Sequence, residues 1–302
     1  MLHITNGDSV ASQLHIHDPS SKVLAWRDVL HEGPTPEGLS FPEMNRARAQ
    51  FLSGQAWGTY ETILGQMEER ETLLAGDDNF TLWFEEDLYD QLQLLQILDW
   101  FNAWKPAEIA LVWIPQGVRA VDLKEFYMAR NTVREKLRHA GSAGWNAFCA
   151  TTPKPLLRFL KNGAATIPHL RNALMRHLQE YPSTRNGLSR TERQILESLA
   201  PGPATPLQVF AASQGKEESV YMGDSTFWSY IQRLSGLLEG FSLEQLDRKI
   251  SITPLGRDVL AGRQDWIQLS GIARWLGGVH LEGPTAAWRW ADASKSVTAS
   301  IA

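Results

Sequence analysis

The chain has 302 residues, 43% of them hydrophobic and 21% charged, a balance that excludes global disorder and favours a folded protein of more than one domain. Its formal charge of −5 is unevenly divided, with 12 basic against 21 acidic residues up to position 150 and 17 against 13 beyond it, so the front half repels nucleic acid and the back half tolerates it. No apolar run reaches the roughly 18 residues that cross a bilayer and no basic-then-apolar leader opens the chain, which predicts a cytoplasmic protein with no membrane partner.

In chain order, His3-Ile4-Thr5 predicts a first strand that breaks into Asn6-Gly7-Asp8-Ser9 and then a helix over 10–14. A strand that delivers polar groups at its carboxyl end is the local pattern by which α/β sheets bind ligands. Asp18-Pro19-Ser20-Ser21 reads as a turn, and Val23-Leu24-Ala25-Trp26 as a second strand that also ends in polar residues, Arg27, Asp28, His31 and Glu32, before Gly33-Pro34. Pro34, Pro36 and Pro42 keep the following segment extended until a helix over 43–52. Residues 59–74 carry apolar side chains at helical spacing and stop at Gly76-Asp77-Asp78-Asn79. Phe80-Thr81-Leu82-Trp83-Phe84 predicts a third strand, with Glu85, Asp87, Asp90 and Gln91 at the head of a helix that reaches Trp100. Residues 108–115 predict a fourth strand and 123–140 a further helix. Cys149, the single cysteine, sits among Trp145, Ala147, Phe148 and Ala150; it reads as a buried inert thiol and excludes an intrachain disulfide or a cysteine-built zinc site.

This alternation predicts an α/β domain over residues 1–150 with a mostly parallel, Rossmann-like sheet covered on both faces. Neither the glycine-rich dinucleotide fingerprint nor the P-loop is present. From Pro153 the pattern turns helical, over 156–160 and 167–178, and Tyr181 to Gly187 reads as a linker, so 151–187 is expected to be a helical connector. Ser189-Arg190-Thr191-Glu192 is a capping box for a helix to Leu199, Thr205-Pro206 starts a second, and Asp224-Ser225 is expected to cap a third over 226–238. A strand pair follows, around Phe241-Ser242-Leu243 and Lys249-Ile250-Ser251-Ile252. Three helices and a two-stranded wing outline a smaller, mainly helical, winged-helix-like domain over 188–302, with the aromatic tail from Trp266 to Trp290 packed back on the molecule.

Asn6, Asp8, Ser9, Asp28, His31, Glu32, Glu85, Asp87, Asp90 and Gln91 all follow predicted strands, so a parallel sheet gathers them along one edge. Carboxylates that converge raise one another's pKa, take a metal or meet a cationic ligand. Asp8, Ser9, Asp28, Glu32, Glu85 and Asp87 are the candidates for catalysis, and Asn6, Gly7, Arg27, His31, Arg46, Asp90 and Gln91 for ligand binding, with Arg27 and Arg46 suited to a carboxylate or phosphate. The residues name no metal and no cofactor. The plainer reading is that each acid sits in the first turn of its own helix, where the dipole favours it.

The favoured expectation is binding, with acid–base catalysis open, of a small polar metabolite or nucleotide at this edge. A regulator is the first alternative, one that senses a ligand and whose winged helix binds DNA or a partner protein. The recognition-helix candidate over 225–234 offers base edges only Gln232 and Arg233, so packing against the front domain or a second subunit is the stronger expectation there. The second alternative is a Gly7-Asp8-Ser9 hydrolase with Ser9 as nucleophile. It lacks the Asp-x-x-His such enzymes carry, and Gly223-Asp224-Ser225 repeats the tripeptide at another helix start.

Four blocks, His3 to Ser9, Trp26 to Pro34, Arg46 to Leu52 and Trp83 to Leu92, resemble the signature blocks of a bacterial two-part family of unknown function, over roughly the first 130 residues. Leu188 to Leu196, with Met222-Gly223-Asp224, is similar to the helical domain often found behind that one. The resemblance implies the two-part layout and brings no activity with it.

Overall fold

Short apolar runs separated by helical stripes fold in the front half as an α/β sheet, mostly parallel. The computed structural model describes residues 1–300, which divide into two units, Met1–Leu174 with Trp275–His280, and Met175–Arg274 with the residues from Leu281 onward. The first unit opens with β1 (Leu2–Thr5), α1 (Asp8–His17), β2 (Lys22–Ala25), β3 (Gly33–Pro34), α2 (Phe41–Gly54) and α3 (Tyr60–Ala75). It continues with β4 (Asn79–Phe84), α4 (Leu88–Trp104), β5 (Glu108–Trp113), α5 (Leu123–Met128), β6 (Asn131–Thr132), α6 (Glu135–Cys149), α7 (Lys154–Asn162) and the start of α8 (Leu170–Leu178).

The main sheet runs β2-β1-β4-β5-β6, with the first four strands parallel and β6 antiparallel to β5. Ile4 lies beside Leu24 on one side and Leu82 on the other, and Leu82 beside Leu111. The chain leaves β1 outward to β2 and returns on the far side of β1 as β4, so the strand order reverses between β1 and β4. Strand alternation sends side chains to both faces. Trp83 packs with Val10 and Leu14 of α1 and Leu123 of α5, whereas Phe80 sets its ring 4.7 Å from that of Phe101 in α4. α4 is buried nearly all round, and α6 lies so close to it that a Cβ on Gly141 would fall 2.3 Å from the Cβ of Leu98.

Residues 123–140, expected as one helix, divide in two. Thr132 pairs with Ala110, and the buried Val133 donates its N–H to the Ile109 carbonyl at 2.8 Å, so this β-branched pair extends the sheet instead of continuing a helix.

The second unit contains α9 (Arg190–Leu199), α10 (Pro206–Gln214), α11 (Asp224–Arg233), a hairpin of β7 (Leu238–Glu239) and β8 (Ser251–Ile252), and α12 (Pro254–Leu260). The capping box at Ser189 forms as expected, with Glu192 reaching back to the Ser189 N–H. α11 starts two residues early and takes Gly223 as its N-cap, so Asp224 and Ser225 lie inside it. The strand pair forms at 238–239 and 251–252 because Gly240, at φ 86°, turns the chain before Phe241. Residues 181–187, a linker by composition, are largely buried: the Thr184 N–H donates to the Trp290 carbonyl and Asn186 Nδ2 to the Val259 carbonyl. The aromatic tail forms α13 (Trp266–Ser270), β9 (Ile272–Gly277), β10 (Val279–Gly283) and a hairpin of β11 (Trp288–Ala291) with β12 (Ser296–Ala299). Within the first unit, Leu276 and Gly277 of β9 run parallel to Gly33 and Pro34 of β3. Among the described residues no helix is long and apolar enough to cross a membrane.

Candidate functional site

The strand order reverses at the carboxyl ends of two adjacent strands, β1 and β4, the place where open α/β sheets bind ligands. Thr5 ends β1, and its hydroxyl donates to the Gly7 carbonyl at 2.8 Å while Gly7 takes φ 155°, a conformation that favours glycine. Between them Asn6, half-buried, donates Nδ2 to Asp90 Oδ1 at 2.8 Å. Phe84 ends β4, Glu85 follows it, and Asp87 caps α4 by accepting the Asp90 N–H at 3.1 Å. The other carboxyl oxygen of Asp90 accepts the Glu85 N–H. Gln91 donates Nε2 to the Glu85 carbonyl at 2.8 Å, and its buried Oε1 has no partner. Gln116, beyond β5, brings Nε2 to 3.5 Å from Asp87 Oδ2.

These acids are buried, not a solvated first turn: Glu85 is 9%, Asp87 5% and Asp90 0% exposed. Burial, with the Asp87 charge adding to it, pushes Glu85 up to about 7. Burial pushes Asp87 up to about 6. Burial and then the Asp87 charge raise Asp90 well above the ordinary range. Among the described residues no Lys or Arg forms an ion pair with any of the three. Tyr89 is raised by burial first and then by the charges of Asp28, Asp90 and Asp87. A carboxyl group poised near neutrality can give or take a proton at working pH, so the cluster has the chemistry of a general acid–base pair and of a hydrogen-bonding socket. Among the described residues no three or more His, Cys, Asp and Glu side chains are arranged to hold a metal ion.

The other residues singled out in the sequence lie elsewhere. Asp8 and Ser9 are exposed and neither caps α1, whose N-cap is Gly7 with no side-chain bond. Asp8 instead takes Arg27, with Nη2 to Oδ1 at 2.6 Å and Nε to Oδ2 at 2.9 Å, and this bond holds its carboxyl below the usual range. Asp28 is buried against Arg48, whose Nε and Nη2 reach Oδ1 at 3.0 and 2.8 Å while its other N–H groups bond the carbonyls of Val29 and Glu32. His31 and Glu32 are buried, and the His31 ring meets Tyr89 edge-on at 5.9 Å. Arg46 is exposed on α2.

Arg48 is the residue the motif reading passed over. Its signal is periodic: the buried stripe of α2 is Met44, Asn45, Arg48, Ala49 and Leu52, and an arginine on such a stripe needs an acid in the interior. Arg70 breaks the stripe of α3 in the same way, between Met67 and Leu74, with its guanidinium 4.0 Å from the Trp26 ring centroid and Nη2 bonded to Asn45 Oδ1. Cys149 is buried, which pushes its thiol up to about 12.

Compared with known proteins, the chain matches no family model and no curated sequence.

Proposed function

We propose that the first unit binds a small polar metabolite at the carboxyl edge between β1 and β4, through Asn6, Glu85, Asp87, Asp90 and Gln91, and that Glu85 and Asp87 exchange a proton with it. The observation that carries this reading is the burial of three carboxyl groups at a strand-order reversal with no cation beside them. Buried acids without a counter-charge cost stability, and a ligand that presents ammonium, amide or hydroxyl hydrogens to them offsets that cost. The same acids repel phosphate, so a nucleotide here would present its base or sugar to them. Asp8 and Arg27, paired in solvent, stand at the margin of this reading, and Asp28 with Arg48 serves as its buried support.

Native mass spectrometry of the full chain taken directly from cells tests it. A small molecule is expected to stay on the parent and to be lost from the double variant Glu85→Gln, Asp87→Asn, with the two melting alike once stripped. A parent that retains nothing, or a double variant that retains the same mass, counts against the assignment.

A second reading concerns the other unit. Three helices, the β7–β8 hairpin and an antiparallel bridge from Ala204 to Ile250 support a winged-helix-like domain. α11, its recognition-helix candidate, buries Thr226, Phe227, Trp228, Tyr230 and Ile231, leaving mainly Asp224, Ser225, Gln232 and Arg233 exposed. That surface suits a protein partner better than base edges. Fluorescence anisotropy on duplex DNA at low salt separates the two: salt-dependent binding lost on neutralising Arg233, Arg248 and Lys249 favours DNA, and none favours protein.

A further inference from the structure

Past the acids that open it, α4 carries a second polar pair. Gln96 and Asp99 are three residues apart, hence on one face of the helix. Gln96 lies about 9 Å beyond Asp90 along the axis, away from the carboxyl edge. The Trp26 indole N–H donates to Gln96 Oε1 at 3.0 Å. An indole nitrogen only donates, so this bond fixes which way the amide faces. Gln96 Nε2 is left with two hydrogens and no acceptor, although the residue is 2% exposed. Asp99 accepts the Ser142 hydroxyl on Oδ1 at 2.6 Å. Its second oxygen makes no such bond.

A cavity of about 280 Å³ is lined by Gln96, Asp99 and Ser142 together with Phe41, Trp100 and Trp145. Phe41 and Trp100 are stacked, with centroids 4.9 Å apart and planes 10° from parallel, so one wall is a preformed aromatic surface. The volume lies at the small end of ligand pockets and suits a single ring system rather than a dinucleotide. None of the residues lining it is basic and one is a carboxylate, which disfavours a phosphate-bearing occupant.

The geometry points to a second ligand site here, for one planar heterocycle with a lactam edge, the size of a single nucleobase. A ring carbonyl accepts from Gln96 Nε2, the neighbouring ring N–H donates to Asp99, and the ring face lies against the tryptophans. The unmet donors of Gln96 are the feature such a ligand answers, because a buried N–H without an acceptor is costly and the chain supplies none. This assignment does not rest on the reading of the carboxyl edge.

Isothermal titration of the full chain with uracil and with hypoxanthine tests it, using 1,3-dimethyluracil as a comparator that keeps the ring and lacks its N–H groups. Saturable binding of one base per chain is expected, weaker by about tenfold or more for the dimethyl compound and for the Gln96→Leu and Asp99→Ala chains. The comparator needs no altered protein, so it decides the question even where a variant is unstable. The assignment falls if neither base binds, leaving water as the occupant, or if the dimethyl compound binds equally well. It falls equally if binding survives Gln96→Leu but is lost in Glu85→Gln, which would move the ligand to the carboxyl edge.

Discussion

Two sets of deeply buried carboxyl groups, one in each unit, behave in opposite ways. Glu180 accepts Arg176 Nη1 and the Thr191 hydroxyl at 2.6 Å each, the Tyr230 hydroxyl at 2.9 Å and Arg274 Nη2 at 3.2 Å. Burial pushes its pKa up, but the charges of Arg176 and Arg274 overcome that and hold it well below the usual carboxylate range. Glu85, Asp87 and Asp90 meet burial with no cation to oppose it, and all three rise. Depth therefore does not decide which way a buried carboxyl shifts. The neighbouring cation does, since a carboxylate locked in its charged form can only hold, while one poised near neutrality can also exchange a proton.

The largest effect that would sharpen the contrast comes from the locked set. Arg176→Met leaves Glu180 short of a cation and takes from Glu217 the nearer of its two, since Arg176 Nε lies at 2.7 Å and Arg190 Nη2 at 3.5 Å, so a loss of about 3–5 kcal/mol is expected in urea denaturation. Arg48→Met, which abandons Asp28, belongs in the same range. Glu85→Gln removes no ion pair and should cost less than about 1 kcal/mol. If the arginine variants cost as little as the glutamine one, the division between the two sets is lost.

The next effect is a difference in the sign of pH dependence. Glu85 rises from 4.5 to about 7, so between those values the folded chain binds more protons than the unfolded one and stability falls as pH rises. At 9% exposed Glu85 is at the margin of burial, and this partial access trims the full linkage value, leaving about 1 kcal/mol across that window. Glu180, whose folded pKa is depressed below 4.5, contributes stability that is present above that value and lost as pH drops below it. Chemical denaturation of the parent and of Glu85→Gln from pH 4.5 to 7 measures the first term as the difference between the two curves. Parallel curves would mean that Glu85 titrates like any exposed glutamate.

The sequence reveals where these buried acids gather and conceals the supports for a physical reason. Asn6, Glu85, Asp87, Asp90 and Gln91 follow the ends of β1 and β4, so once the strands are recognised their place follows from chain position alone. Asp28 also follows a strand, but its partner is 20 residues away on a helix, and no local pattern announces the pair. Arg46 and Arg48 are two residues apart, which is about 200° around α2, so choosing the wrong arginine moves the charge from the interior to solvent. The segment 181–187 has the composition of a linker and the burial of a core because its partners, Val259 and Trp290, come 73 or more residues later. Periodicity reports which face is buried; it says nothing about what that face meets.

The smallest effect concerns an exposed ion pair at the start of α1. Asp8 and Arg27 make three hydrogen bonds, as many as many buried pairs, yet their side chains remain 66% and 52% exposed. Water competes for each of those bonds, and salt screens what remains. Asp8→Asn should therefore cost about 0.5 kcal/mol at low ionic strength and nothing measurable at 1 M salt. A loss several times larger that salt does not reduce would mean that solvent is kept from this pair. Asp8 would then belong with the buried acids, and the line drawn between the buried cluster and a surface ion pair would have to be redrawn through Gly7.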